Sequence, residues 1–335
     1  MNSRERMMTT LALKEPDRVP FADWIDAPVK KKLMEAMGTK GLDEVEFAKS
    51  LNMDALCFSS ERYLAPQFCK KAIGADGREL LTDEGFIQSD NDLPKMVLPD
   101  LKKYDYFDEV KQFIDTYGNQ DLAIFCGLRP GMMNTIYSMG WMGFSIALAE
   151  NTQLVETIFD RYIDWNCELV EKLQTVGLDF FVAYDDIAYN SGPMFSPQVL
   201  RELFLPRFNR LADIFTIPWV YHSDGDLTRI FDDLLTLGMQ GINPFQPPLM
   251  DIENFKKEYG DRICLWGNID LVYTLSQGST TEVDAEVKQR IKKLAPGGGY
   301  ILGSANSITE FCKPENVLAM VNANNKYGKY PINLD

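Results

Sequence analysis

Short apolar runs alternate with longer amphipathic stretches along the whole chain of 335 residues. Eight runs have the length and the β-branched or aromatic content of buried strands. They are "VPFADW" (19–24), "DALCFSS" (54–60), "LAIFCGL" (122–128), "DFFVAY" (179–184), "WVYHS" (219–223), "GINPF" (241–245), "ICLWGN" (263–268) and "YILGS" (300–304). Helical spacing fills the intervals. In "SPQVLRELFLPRFNRLADIF" (196–215), Ser196 is placed to cap, Pro197 suits the first helical position, and Leu200, Leu203, Phe204 and Phe208 share one face. Pro206 should kink that helix or divide it in two. "PENVLAMVNANNKYG" (314–328) opens on Pro and Glu and closes toward Gly328.

Strands alternating with helices predict a parallel sheet covered by helices. Eight of them predict an α/β fold of the (β/α)8 TIM-barrel type with an N-terminal helical extension, one domain over residues 1–335. Residues 1–50 are expected to be helical and to close one end of the barrel. The segment 70–118 is the expected excursion, with a hairpin around Asp76–Gly77.

Charge narrows the partners. A net charge of −15 argues against nucleic acid and against anionic membranes, since both need clustered Lys and Arg. Six cysteines (Cys57, Cys69, Cys126, Cys167, Cys264 and Cys312) are widely spaced without a CxxC pair, the usage of reduced cytosolic thiols. The opening lacks a signal-peptide apolar region, and no run approaches the ~18 apolar residues of a spanning helix. A cytoplasmic protein is expected.

In a parallel βα barrel, chemistry collects at the C-terminal ends of the strands. The polar residues expected there are Asp23 and Asp26, Arg129, Asp185 and Asp186, His222 and Asp224, Asn243 and Gln246, Asn268 and Asp270, and Ser304 and Asn306. His222 is the only histidine in the chain. By type alone it could be a satisfied core residue, but Asp224 two positions on can point to the same side and reach one ion with it. Asp185 and Asp186 could equally cap a turn. "PGGG" (296–299) precedes a strand, where phosphate cradles have a strand before and a helix after, so it is expected to be a tight turn. "GLRPGMMNTIYSMGWMG" (127–143) suits either core packing or a flexible apolar wall for a ligand.

The blocks "NSRERMMTTLALKEPDRVP", "DDIAYNSGPMFSPQVLRELFLPRFNRL", "HSDG", "GNID" and "GGYILGSANSI" ahead of "KPENVLAM" occur in one order along nearly the whole chain. In that order they resemble the uroporphyrinogen decarboxylase superfamily, which implies a (β/α)8 barrel. The decarboxylases themselves carry an Arg-Gln-Ala-Gly-Arg stretch for porphyrin carboxylates, whereas "FADWIDAPVKKKL" follows Pro20 here. Asp23 and Asp26 would repel a substrate rich in carboxylates.

The other branch comprises corrinoid-dependent methyltransferases. Its coenzyme-M members bind zinc through His-x-Cys after the fifth strand and a Cys after the eighth. His222 falls on that histidine, Asp224 on the first Cys, and the region Ser304 to Asn306 holds no Cys. Without thiolates a zinc ion is a harder, stronger Lewis acid, suited to polarising an ether oxygen. The resemblance therefore implies the first methyltransferase of an O-demethylase system, passing a methyl group from a small methylated substrate, an aryl methyl ether, to the Co(I) corrinoid of a partner protein. It makes His222 and Asp224 zinc ligands, joined by Asp186 or Asn306. Asp185, Asp186 and Asp224 are the catalytic candidates, with Asp185 or Asp186 as alternative proton donors. The expected substrate-binding residues are Asp23, Trp24, Arg129, Trp141, Tyr184, Tyr189, Phe245, Asn268 and Asn306, with Trp266 beside them. A homodimer is expected, as barrels of this class often pair. Two other readings stand beside it: a metal-free decarboxylase or lyase using Asp and Arg129, and a barrel without catalysis.

Overall fold

Seven of the eight apolar runs form one parallel sheet in a computed structural model that describes residues 1–74, 79–103, 105–247 and 249–334. In chain order its strands are β1 (Ala55–Phe58), the hairpin β2 (Cys69–Ile73) and β3 (Glu79–Gly85), β4 (Ala123–Leu128), β5 (Phe180–Tyr184), the short pair β6 (Ala188–Tyr189) and β7 (Gly192–Pro193), β8 (Trp219–His222), β9 (Gly241–Asn243), β10 (Cys264–Ile269) and β11 (Tyr300–Ser304). The sheet runs β1-β4-β5-β8-β9-β10-β11, with every neighbouring pair parallel. β2 and β3 pair antiparallel, and the turn expected at Asp76–Gly77 lies outside the described residues.

The period of two along each strand sorts the side chains into two cores. Ala55, Phe125, Phe180, Val182, Val220, Trp266 and Ile301 from six strands pack with one another, so the sheet is curled around them. Their sequence neighbours Leu56, Ile124, Phe181, Tyr221, Leu265 and Leu302 belong to the outer core beneath the helices.

The run 19–24 was expected as a strand and makes only an isolated bridge, Phe21 with Leu302, followed by one just past it, Ile25 with Ile308. Pro20 has no N–H to give, the Phe21 N–H goes to the Asp54 carboxylate at 2.8 Å, and the Trp24 N–H goes to the Asp23 carboxylate at 2.9 Å. With its donors taken this way the segment builds no ladder. It still lies between the sheet edges, bonding β11 (Ala22 N–H to Leu302 O, 3.1 Å) and the residue before β1 (Asp54 N–H to Phe21 O, 2.7 Å). Asp54 is fully buried and also accepts from Arg6 and Arg18 at 2.6 to 2.9 Å, fastening the segment to the sheet.

Of the N-terminal helices only Ser3–Leu11 covers the N-terminal end of the sheet: its Met7 and Leu11 enter the inner core, and its Arg4 binds Asp179 at 3.0 Å. Helix Ala27–Ala36 lies instead against helix Pro314–Tyr327, outside the sheet. The run 196–215 is divided as its proline required. Ser196 caps Pro197–Val199, a wide π turn spans Leu200–Phe204, and Leu205–Ala212 resumes as α-helix, with Pro206 at the junction. "PGGG" is a turn. Gly298 has φ +82°, and a Cβ there would come within 2.4 Å of the Lys14 backbone.

Candidate functional site

Alternation also decides which strand-end residues face inward. Val220 is interior on β8, so His222 follows it. On β5, Val182 is interior and Tyr184 packs against that core, which carries Asp186 inward and Asp185 outward. The structure accordingly brings Asp186, His222 and Asp224 together, each offering a ligand atom within 4.8 Å of the others.

Second contacts fix these groups. The Asn243 Nδ2 donates to the Trp266 carbonyl at 3.1 Å, which turns its Oδ1 toward the His222 Nδ1 at 2.6 Å. An amide oxygen can only accept, so Nδ1 carries the proton and Nε2 is left with a lone pair. That Nε2 lies 4.0 Å from the Asp224 Oδ1, which is buried without a hydrogen-bond partner among the described residues. The other oxygen of Asp224 accepts from the Asn306 Nδ2 at 2.7 Å, and the Asp224 backbone N–H donates to Asp186 at 2.9 Å. Burial raises the Asp224 carboxyl above its ordinary range, with His222 opposing the rise and Asp186 adding to it. A lone pair facing a buried, bare carboxylate oxygen is an electrostatic conflict that a cation resolves. One imidazole nitrogen and two carboxylates suit a divalent ion such as zinc, and the residues present fit it.

Trp24 is the wall beside this group. It stacks on Trp266 at 4.9 Å and meets Tyr184 and His222 edge-on at 5.7 and 6.1 Å. Tyr184 in turn lies 5.2 Å from His222. A cavity of about 280 Å³ opens here, lined by Trp24, Cys57, Gly127, Arg129 and Tyr184 among others. A second, of about 220 Å³, adjoins it through Trp24 and Cys57 and includes Asp23, Asp26, Lys30 and Glu44. Burial raises the Cys57 thiol to about 12, so it is no thiolate.

Other expected residues go elsewhere. The Asp185 carboxylate accepts from the backbone N–H groups of Gly131, Met132 and Met133 at 2.7 to 3.0 Å, anchoring the start of helix Met132–Met139. Phe245 has φ +57° and is turned into the outer core against Phe255, because β9 ends before Pro244. Trp141 and Tyr189 approach each other at 6.1 Å on the rim, with Tyr189 exposed, and are not a slot beside His222. Asp23 is buried and accepts from the Ser304 N–H and hydroxyl at 2.6 and 3.0 Å. Burial lifts its carboxyl to about 7 against those bonds. Asn268 is fully buried with neither amide atom bonded to a described residue. Met132, Ile136 and Met139 of the Met-rich stretch are core. Asn243 was one polar strand end among many in the sequence. Its position beside His222 in register, with Gly241 two residues before it, is the signal that singles it out.

Residues 128–327 match the family model described as uroporphyrinogen decarboxylase (URO-D). A methylcobamide:CoM methyltransferase, MtaA of Methanosarcina barkeri, is 26% identical over 178 residues, 53% of this chain and 50% of that protein. The chain thus spans about half the length of the curated relatives it matches. Among solved structures, a methyltransferase from Methanosarcina mazei has a TM-score of 0.77 at 19% identity, covering 98% of this chain and 99% of that one. A B12-independent methionine synthase from Shewanella sp. W3-18-1 has a TM-score of 0.53 at 13% identity, covering 93% of each. At such identities the likeness is one of fold. The curled parallel sheet and the match over residues 128–327, more than half of the chain, make this protein a member of the uroporphyrinogen decarboxylase family.

Proposed function

We propose that this chain is a methyltransferase that moves a methyl group from a small methylated substrate, an aryl methyl ether, to the Co(I) corrinoid of a partner protein. The observation that carries the reading is the pair formed by the His222 Nε2 and the bare, buried Asp224 Oδ1, 4.0 Å apart. His222, Asp224 and Asp186 would hold a zinc ion, which when bound supplies a Lewis acid to draw charge from the ether oxygen. The similarity to the MtaA protein supports methyl transfer, and the carboxylates in place of thiolates support an oxygen-bound over a sulfur-bound methyl group.

The chain's own residues have distinct tasks in this reading. Asn243 keeps the Nε2 lone pair of His222 free, and Asn306 holds Asp224 by one oxygen so that the other faces inward. Trp24, backed by the buried Trp266, and Tyr184 offer ring faces and edges to an aromatic substrate and exclude water beside the imidazole. Asp185 is committed to the start of helix Met132–Met139 and Asp186 to the metal group, so the departing phenolate would take its proton from solvent. The whole chain, 1–335, would act as one (β/α)8 unit with segment 19–25 as its eighth stave, and the corrinoid protein would cover the C-terminal mouth.

The test is to mix zinc-loaded protein with a Co(I) corrinoid protein and a panel of methoxyarenes, betaines and methanol, following methyl–cobalt absorbance. Methylation of cobalt by a methoxyarene is expected. Methylation by none of the panel would overturn the reading.

A further inference from the structure

Arg129 stands just past β4, two residues beyond Gly127, on the side whose earlier members Ala123 and Phe125 are interior. Its backbone carbonyl is held by the Asn166 Nδ2 at 2.8 Å, so the residue is fixed in place. Its half-buried guanidinium, by contrast, makes no hydrogen bond or ion pair with any described residue. In a chain with 49 acidic and 34 basic residues, most described arginines, among them Arg6, Arg18, Arg201, Arg207 and Arg210, are ion-paired. A guanidinium has five donors in a planar fork, and one kept partly out of water without an anion is poised for a ligand that brings one.

We infer that Arg129 is the seat for a carboxylate carried by a small, single-ring substrate. Arg129, Gly127, Trp24 and Tyr184 line the same cavity of about 280 Å³. That volume lies just below the ~300–1,000 Å³ of small-molecule sites and suits one ring, not a tetrapyrrole. A Cβ on Gly127 would come within 2.1 Å of the Tyr184 ring, so the glycine is what lets that ring lie across β4 toward Arg129. The same Tyr184 and Trp24 border His222 at 5.2 and 6.1 Å. Trp24 and Tyr184 therefore border both the cavity that holds Arg129 and the imidazole. Burial raises the Tyr137 hydroxyl, with Asp186 adding to the rise and Arg129 opposing it, so both charges act on one phenol. In the adjoining cavity Lys30 is already bound to Glu44 at 2.6 Å, and Asp23 and Asp26 are acidic. Arg129 is therefore the cation available to an incoming anion in these two cavities. The assignment of a methoxylated ring rests on the function proposed above, whereas capture of a carboxylate by Arg129 does not.

The experiment follows the tryptophan fluorescence of the full chain while titrating 4-methoxybenzoate, its neutral methyl ester, 4-methoxybenzenesulfonate and inorganic phosphate, with and without zinc. The acid should bind at least ~10-fold more tightly than the ester, given the strength of charge-assisted bonds. Arg129→Gln should cut acid affinity roughly 10- to 100-fold and leave the ester unchanged, while Arg129→Lys should retain part of the preference. Equal affinities for acid and ester in the unaltered protein would overturn the inference, and that comparison needs no variant to fold. Acid affinity unchanged by Arg129→Gln, or tighter binding of sulfonate or phosphate, would also overturn it. Arg129-dependent acid binding without any methyl transfer would sink the proposed function alone. Methyl transfer without acid preference would sink this inference alone.

Discussion

The Nδ1 of His222 and the Oδ1 of Asn243 lie 2.6 Å apart, and the donation of the Asn243 amide to the Trp266 carbonyl fixes which of the two is the acceptor. Asn243 thereby sets the tautomer of the chain's only histidine and aims its free nitrogen at Asp224. Replacing the amide by an isosteric apolar group removes this control without opening a large cavity. Asn243→Leu should weaken zinc binding about 10- to 100-fold, the usual effect of losing a second contact to a ligating histidine. Competition against a chromogenic chelator measures it, and circular dichroism checks that the variant is folded.

Asp54 predicts a purely structural effect. It is fully buried and accepts from Arg6, Arg18 and the Phe21 N–H. Asp54→Ala would leave the buried guanidinium of Arg6 without that carboxylate and release the segment that lies between β11 and β1. A loss of about 3–5 kcal/mol is expected, read from urea unfolding. Zinc binding by whatever fraction remains folded should be normal, because Asp54 lies before β1 at the opposite end of the strand from the metal group.

Asp23 predicts a pH dependence. Burial raises its folded-state carboxyl to about 7, well above the ordinary value of 3.8. The folded chain therefore holds a proton there that the unfolded chain has released. The contribution to stability is complete below about pH 4 and is lost as pH rises through about 7. The unaltered protein should lose more stability between pH 5 and pH 7.5 than Asp23→Asn does, by at most about 2.5 kcal/mol. Urea midpoints at the two pH values give the comparison, and identical slopes in both proteins would count against it.

Much of this was legible in the sequence. The seven sheet strands follow apolar runs, and the inward direction of His222, Asp224 and Asp186 follows from counting by two along β5 and β8. The same count, applied to Asp185, would have sent it outward, where it meets the backbone N–H groups of Gly131 to Met133. The first strand misled because its donors are captured by Asp54 and Asp23, side chains far from the apolar pattern or within it. Phe245 misled because a positive φ after Pro244 reverses which side it faces, and no periodicity records that. The hydrogen bond from His222 to Asn243 depends on register between β8 and β9, which sequence alone does not supply.

His222, Asp224 and Asp186 together should hold one divalent metal. Equilibrium dialysis against zinc, followed by metal and protein quantitation, tests it most directly. The unaltered protein should bind one zinc per chain, and His222→Ala and Asp224→Ala, each still folded by circular dichroism, should each lose at least ~100-fold in affinity. Undiminished stoichiometric zinc in those two variants would contradict it, as would no zinc bound by the unaltered chain.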